Sequence, residues 1–401
     1  MNALPNKIYP SFIKLHEGFY FKRIMTIYNQ LPFYVKLGFK FLVIFFICFF
    51  IYVSQNILIP FAFACLLAVL LLPIVNFLEI KRLTKIPSIA ISIILAIGFI
   101  AGIIYFLSSQ ISNFMQDIPS IKEHLNEHFI SLQSWVKEKF HVSFEQQNEY
   151  LNEQADKLKQ SGTGYISHTF FSITEAIMLL ILMPIYTFLL LFYKDHIRRF
   201  LFAVFKQEYT PGVQNVISKT KLMIRSYMVG LLIEMGIVAA GNSIGLILLG
   251  VKYAIFFGVL AAVLNLIPYI GMFTATLFTV LVTLTTTDNT SAIIWIIVIF
   301  YSIHIIDVNV LMPRIVASRL RINALISILG VVIGGSLTGI SGLFLSIPAI
   351  AFLKIVCDEV DGLKPWGMLM GDETTYTKKS KLYTKLKKIS IKQSAKLHRN
   401  Q

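Results

Sequence analysis

The chain has 401 residues, 56% of them hydrophobic and only 14% charged, with a formal net charge of +15. Soluble domains carry roughly 25% charged residues, and a soluble protein of this size could not hide so much apolar surface, so a water-soluble globular fold is excluded. The positive charge does not point to nucleic acid, because it falls where membrane topology would put it.

Residues 1–35 mix basic and aromatic residues (Lys7, Lys14, Lys22 and Arg23 among Tyr9, Phe12, Phe19 and Phe21) without the compact apolar stretch of a cleavable signal peptide. They read as a cytoplasmic or interfacial amphipathic segment on anionic lipid, with a weakly ordered tail as the competing reading. Residues 36–107 hold three apolar blocks, Phe39 to Val53, Ile57 to Leu78 and Ile89 to Leu107. Phe170 to Tyr193 and Met228 to Gly250 follow after a polar interval. Most of these approach the roughly 20 residues that cross a bilayer as a helix. Cys48, Cys65 and Cys357 show neither a disulfide framework nor paired metal spacing.

The basic residues orient the spans. Lys81, Arg82 and Lys85 follow the second block, and Lys194, Arg198, Arg199 and Lys206 follow the fourth, which puts both connections and the N-terminus in the cytoplasm. The interval 108–168 carries five lysines against eight acids and belongs outside. It reads as a two-helix extracytoplasmic cap. One apolar stripe runs from Ile121 through Leu125, Phe129, Leu132 and Val136 to Phe140, opened by a capping box at Ser120 and Glu123. A weaker stripe joins Leu151, Ala155 and Leu158. His124 and His128 have the spacing of two metal ligands on a helix but no recognised third ligand, so they read as a solvated face.

In residues 169–357 the parity of crossings requires two hairpins. Tyr253 to Ile267 and Met272 to Thr287 are each short of a span, with Pro268-Tyr269-Ile270-Gly271 between them. Ala324 to Gly335 and Leu343 to Val356 are likewise short and are split by a Ser/Thr/Gly stretch. The expected fold is therefore an all-α membrane protein with about eight apolar segments. They form six transmembrane helices plus two broken or re-entrant hairpins; ordinary helix pairs with tight turns are the alternative. Gly98 with Gly102, Gly241 with Gly245, and Gly330 with Gly334 have the spacing that allows close helix approach. Residues 358–401 form a basic cytoplasmic tail, in which Lys379, Lys381, Lys385, Lys387 and Lys388 are candidates for lipid-headgroup contact.

No HExxH, GxSxG, GxxxxGK[ST] or CxxC signature occurs, so neither an enzyme, a metal nor a cofactor is expected. The informative residues are polar groups at membrane depth, which are costly to bury there. Glu234 lies inside the fifth block, and Asn242 lies two turns further on. His304 and Asp307 are three apart on one helix face, followed by Asn309 and Arg314. Together with Asn265, Pro268, Tyr269 and Gly271 at the first interruption, these residues are the candidates for a substrate or ion pathway. The competing reading makes Asp307 a cytoplasmic-end residue satisfied by Arg314 or by helix termini.

The segments Leu264-Asn265-Leu266-Ile267-Pro268-Tyr269-Ile270-Gly271 and Asp307-Val308-Asn309-Val310-Leu311-Met312-Pro313-Arg314-Ile315-Val316 resemble the signature stretches of the autoinducer-2 exporter family of bacterial permeases. Pro184-Ile185-Tyr186-Thr187-Phe188 and the glycine-rich stretch from Ile333 to Pro348 add to the resemblance, which runs along residues 40–357. It implies a multi-pass inner-membrane transporter that exports a small polar solute such as autoinducer-2 and assembles as a homo-oligomer, for instance a pentamer. Some relatives are described as sodium or lithium/proton antiporters, which is the alternative. A non-transporting scaffold or sensor is the alternative from another class. Where relatives often show Tyr-x-Arg-Gly-Gln, this chain has Tyr227-Met228-Val229-Gly230-Leu231, which puts a shared polar mechanism in question.

Overall fold

The computed structural model describes residues 32–141, 143–145, 149, 173–266, 270–286, 290–316 and 322–372. The expected second cap helix, residues Pro268 and Tyr269, and the basic tail with Lys379, Lys381, Lys385, Lys387 and Lys388 lie outside the described residues. Within the described residues the chain is all helix apart from one isolated bridge. Five helices are long and apolar enough to cross a membrane, or six if a bent pair counts as one span.

A first compact unit ends at Leu58 and contains α1 (Phe33–Val53). Phe41, Phe45, Phe46, Phe49 and Phe50 are all more than half exposed, so α1 is apolar all round, as a lipid-facing helix is. The second unit starts at Ile59, inside α2 (Gln55–Ile80). It continues with α3 (Lys85–Phe140), α4 (Ile173–Phe192), α5 (Lys194–Val204), α6 (Thr210–Leu248), α7 (Ala254–Leu264), α8 (Ile270–Thr286) and α9 (Thr290–Ile306). A π-helical segment (Asp307–Val316), α10 (Ala324–Glu359) and α11 (Lys364–Met370) complete it.

One expectation is corrected in α3. The third span and the first cap helix are a single 56-residue helix, so no helix begins at the Ser120–Glu123 box. Pro119 does not end the helix, although a proline inside a helix removes one ladder hydrogen bond.

The last apolar region is a hairpin. Thr338 (φ −138°) and Gly339 (φ 65°, ψ −142°) leave helical geometry, and Gly339 occupies backbone space that is essentially reserved for glycine. The arms on either side, residues 324–337 and 340–359, fold back on one another. A Cβ on Gly334 would press on the Gly342 carbonyl at 2.7 Å, and Gly330 packs on Ile350. The first arm rises about 21 Å, short of the ~30 Å of a hydrocarbon core. The base of the hairpin is closed by Asn323. Its Oδ1 accepts from the Ile326 N–H (2.8 Å), its Nδ2 donates to the Leu369 carbonyl (2.6 Å), and its backbone N–H donates to the Met370 carbonyl (3.0 Å).

The other interruption is built on the same economy of size. After Gly250 (φ 70°) the chain reverses so that α7 packs on α6, with Gly258 tight against Ser243 and the Ala239 carbonyl. At 11 residues, α7 rises about 16 Å. Gly271 then sits directly on the Leu264 carbonyl group, which only a residue without a side chain permits, and α8 starts there. Of the three glycine pairs, Gly241 and Gly245 face Ile303 and Ile299 of α9, and Gly330 and Gly334 face the second arm of α10. Among the described residues nothing stands within 4 Å of a would-be Cβ on Gly98 or Gly102.

Candidate functional site

Helix α6 buries one face at three- and four-residue intervals: Met223, Tyr227, Gly230, Glu234, Val238 and Asn242. Glu234 and Asn242 are thus two turns apart on the same buried stripe, 5% and 2% exposed. Facing this stripe, α9 gives way at Asp307 to π-helical geometry that runs to Val316. Pro313 has no backbone N–H to continue the helical ladder, and the Asn309 side-chain amide donates to the Ile305 carbonyl (2.9 Å). Segments with π-helical turns are frequent at functional sites. Gly230 lets the π-segment come close: a Cβ there would stand 3.0 Å from the Ile315 carbonyl oxygen.

Asp307, the first residue of the π-segment, is 4% exposed. Its Oδ2 accepts a hydrogen bond from Asn265 Nδ2 at 2.9 Å, and Asn265 is held at the C-terminal cap of α7. Glu234, on the buried stripe of α6, is the other buried carboxyl on the elements that meet here. Glu234 Oε2, Asp307 Oδ1 and Asn242 Oδ1 are buried without a partner. A cleft with about 260 Å³ of free space, its open mouth included, runs past Asn242, Asn265, Met272, His304 and Asp307 against the apolar wall of Phe300 and Ile303.

Three polar elements, α6, the α7–α8 interruption and the start of the π-segment, therefore converge on one point. Among the described residues neither carboxyl forms an ion pair within 4.0 Å. Arg314 is exposed, and the Asn309 side-chain amide is spent on its own helix. A carboxylate buried away from water with an unpartnered oxygen is costly unless a proton or a cation neutralises it. Among the described residues no group of three or more His, Cys, Asp and Glu could hold a metal ion.

Of the sequence candidates, Glu234, Asn242, Asn265, His304 and Asp307 come together, and Gly271 makes the tight turn beside them. Met272 in the cleft wall and Tyr227 on the Glu234 stripe were not singled out from sequence. Tyr227 is 3% exposed, with its ring 6.4 Å from that of Phe344 in the second arm of α10. Its signal was its spacing, since it lies seven residues before Glu234 and so on the same face.

Several apolar helices with two backbone reversals, around an open cleft whose apolar wall carries Asn242, Asn265, His304 and Asp307, define a multi-pass membrane protein of the transporter class. A family model described as AI-2E family transporter matches residues 39–362, and the chain belongs to that family. It is 24% identical over 314 residues to YueF of Bacillus subtilis, covering 76% of this chain and 84% of that one. It is 24% identical over 333 residues to YhhT of Escherichia coli K12, covering 80% and 90%. Over 330 residues it is 22% identical to the AI-2 transport protein TqsA of Escherichia coli K12, again covering 80% and 90%.

Proposed function

We propose that this protein is a secondary transporter in a bacterial inner membrane, that it exports a small polar solute, and that Glu234 and Asp307 couple the movement to a proton or monovalent cation. The observation behind the coupling is two buried carboxyls on facing elements, Glu234 of α6 and Asp307 of the π-segment, each with an oxygen left unpartnered, and Asp307 opens on the cleft. A charge in such a place is too costly to be retained without a use. A solute of the autoinducer-2 kind is the first candidate, because one full-length relative carries that name. Both termini lie in the cytoplasm by the distribution of Lys and Arg. The partners in this reading are the lipid bilayer, the solute or cation, and further copies of the chain in a homo-oligomer such as a pentamer.

The same acid pair favours a second reading, in which the cation is itself the cargo and the protein exchanges sodium or lithium for protons. A non-transporting scaffold leaves the cleft and its unpartnered oxygens without a role.

The test is transport by the purified protein in liposomes, with and without imposed proton and sodium gradients, comparing wild type with Glu234→Gln. Gradient-driven release of autoinducer-2 that the substitution uncouples supports the exporter. Sodium- or lithium-dependent proton movement without solute release, lost in the variant, supports the antiporter. Unaltered gradient dependence in Glu234→Gln removes the acid pair from the mechanism.

A further inference from the structure

Helix α5 leaves the direction of the α4 span by 67° at Tyr193. It is a short, strongly amphipathic helix. Ile197, Phe200 and Val204 form one face and are 38%, 60% and 58% exposed, so among the described residues nothing covers Phe200 and Val204 fully. Arg198 and Arg199 point away from that face, and the Arg198 guanidinium lies over the Phe202 ring at 5.7 Å. An amphipathic helix that turns off the end of a membrane span, with an uncovered apolar face and a basic one, has the form of a segment lying in the headgroup layer.

The charges sort themselves into used and unused. Lys194 is held by Glu79 (3.1 Å) and Asn76 (3.3 Å) of α2, and Lys85 at the start of α3 is held by Asp195 (3.5 Å). These contacts fix α5 against the α2–α3 turn, which adds Lys81 and Arg82 to the same surface. Among the described residues Arg198 and Arg199 have no acidic partner.

We infer that α5, with Arg198 and Arg199 as its principal contacts, is a binding site for anionic phospholipid headgroups, anchored by Phe200 and Val204 in the acyl boundary. Charge complementarity selects this occupant. A second copy of the chain is a poorer match, because it carries a net charge of +15 of its own. A neutral lipid would satisfy the apolar face and leave both guanidinium groups uncompensated. Juxtamembrane Arg residues near an anionic surface contribute individually and additively to such binding.

The experiment is thermal unfolding of the full-length protein in detergent micelles, titrated with phosphatidylglycerol, with phosphatidylcholine and inorganic phosphate as controls. Phosphatidylglycerol raises the Tm of the wild type, and neither control does. In R198Q/R199Q the half-saturating amount of phosphatidylglycerol rises roughly 25-fold, while the Tm without lipid is unchanged. Equal titrations for the two proteins overturn the proposal. So does a shift reproduced by phosphatidylcholine, or one reproduced by phosphate alone, which would mark a free-anion site. Should the double variant fail to fold, a bimane label at Phe200→Cys, in a chain whose native cysteines are serine, reads the other half of the claim. Nitroxide placed high on the acyl chain quenches it more strongly than nitroxide placed deep. Absence of quenching means that protein covers this face and overturns the proposal.

Discussion

Two acidic sites of this protein stand in contrast. At the α6–α7 turn, Asp117 of α3 accepts hydrogen bonds from Lys252 and from the Tyr253 hydroxyl (2.6 Å), and the Tyr253 ring meets that of Phe114 edge-on at 6.3 Å. This acid has a cation, a hydroxyl donor and access to solvent. At the meeting of α6, α7 and the π-segment, Glu234 and Asp307 have one asparagine between them and unpartnered oxygens, with almost no exposure. The first arrangement is what a structural tie needs, since its charges are compensated and hydrated. The second is unfavourable unless a proton or a cation enters, and entry of a charge is what a transporter has to arrange.

The comparison can be broken most sharply at the buried pair. Glu234→Gln and Asp307→Asn are expected to lower gradient-driven transport at least about tenfold while the protein still folds, because neutralising a buried unpaired acid relieves a cost. Transport assays and thermal unfolding on the same preparations check both halves. Packing gives the next largest effect. Gly342→Leu forces a side chain into the Gly334 backbone and is expected to cost about 3 kcal/mol, whereas Gly98→Leu meets open space and stays near neutral. Thermal unfolding of the two variants side by side reads that difference. Asn265→Ala removes the donor to Asp307 Oδ2 and is expected to cost about 1–2 kcal/mol, seen as a lower Tm together with weaker cation dependence of transport.

The smallest effect belongs to the exposed site. Lys252→Met is expected to move Tm by no more than ~2 °C, and less in high salt, because surface ion pairs are screened. Its pH dependence has a definite sign. The hydrogen bond to Asp117 raises the Lys252 pKa above the ordinary lysine value, against a small opposing effect of burial. The stabilisation is therefore complete at neutral pH and is lost as pH rises through the raised pKa, above the usual lysine range. Comparing the pH dependence of Tm for wild type and Lys252→Met tests this.

The spans were legible in the sequence because apolar block length is a one-dimensional property set by bilayer thickness. The two hairpins were legible for a related reason, since short blocks, parity of positive charge and Gly-rich interruptions all act locally. The helix start expected at Ser120 and Glu123 was misread. α3 runs through it, because a capping-box pattern is a local signal and a helix already under way need not restart there. Glycine spacing was an unreliable guide for similar reasons: Gly98 and Gly102 share their four-residue interval with Gly241 and Gly245, but among the described residues only the second pair has a helix beside it.

From the sequence alone came the membrane class, the polar residues that sit at membrane depth and the family resemblance, all of which depend on residue types and their order. Which of those polar residues meet was a matter for tertiary structure. Asn265 and Asp307 lie 42 residues apart, and they touch because α7 folds back on α6 and α9 loosens into a π-helix at the right point. Asn309, two residues beyond Asp307 in the sequence, instead donates to the Ile305 carbonyl of its own helix. Proximity in the chain says little about partnership between side chains; the partners are chosen by where the backbone reverses, and that depends on packing over the whole helical assembly.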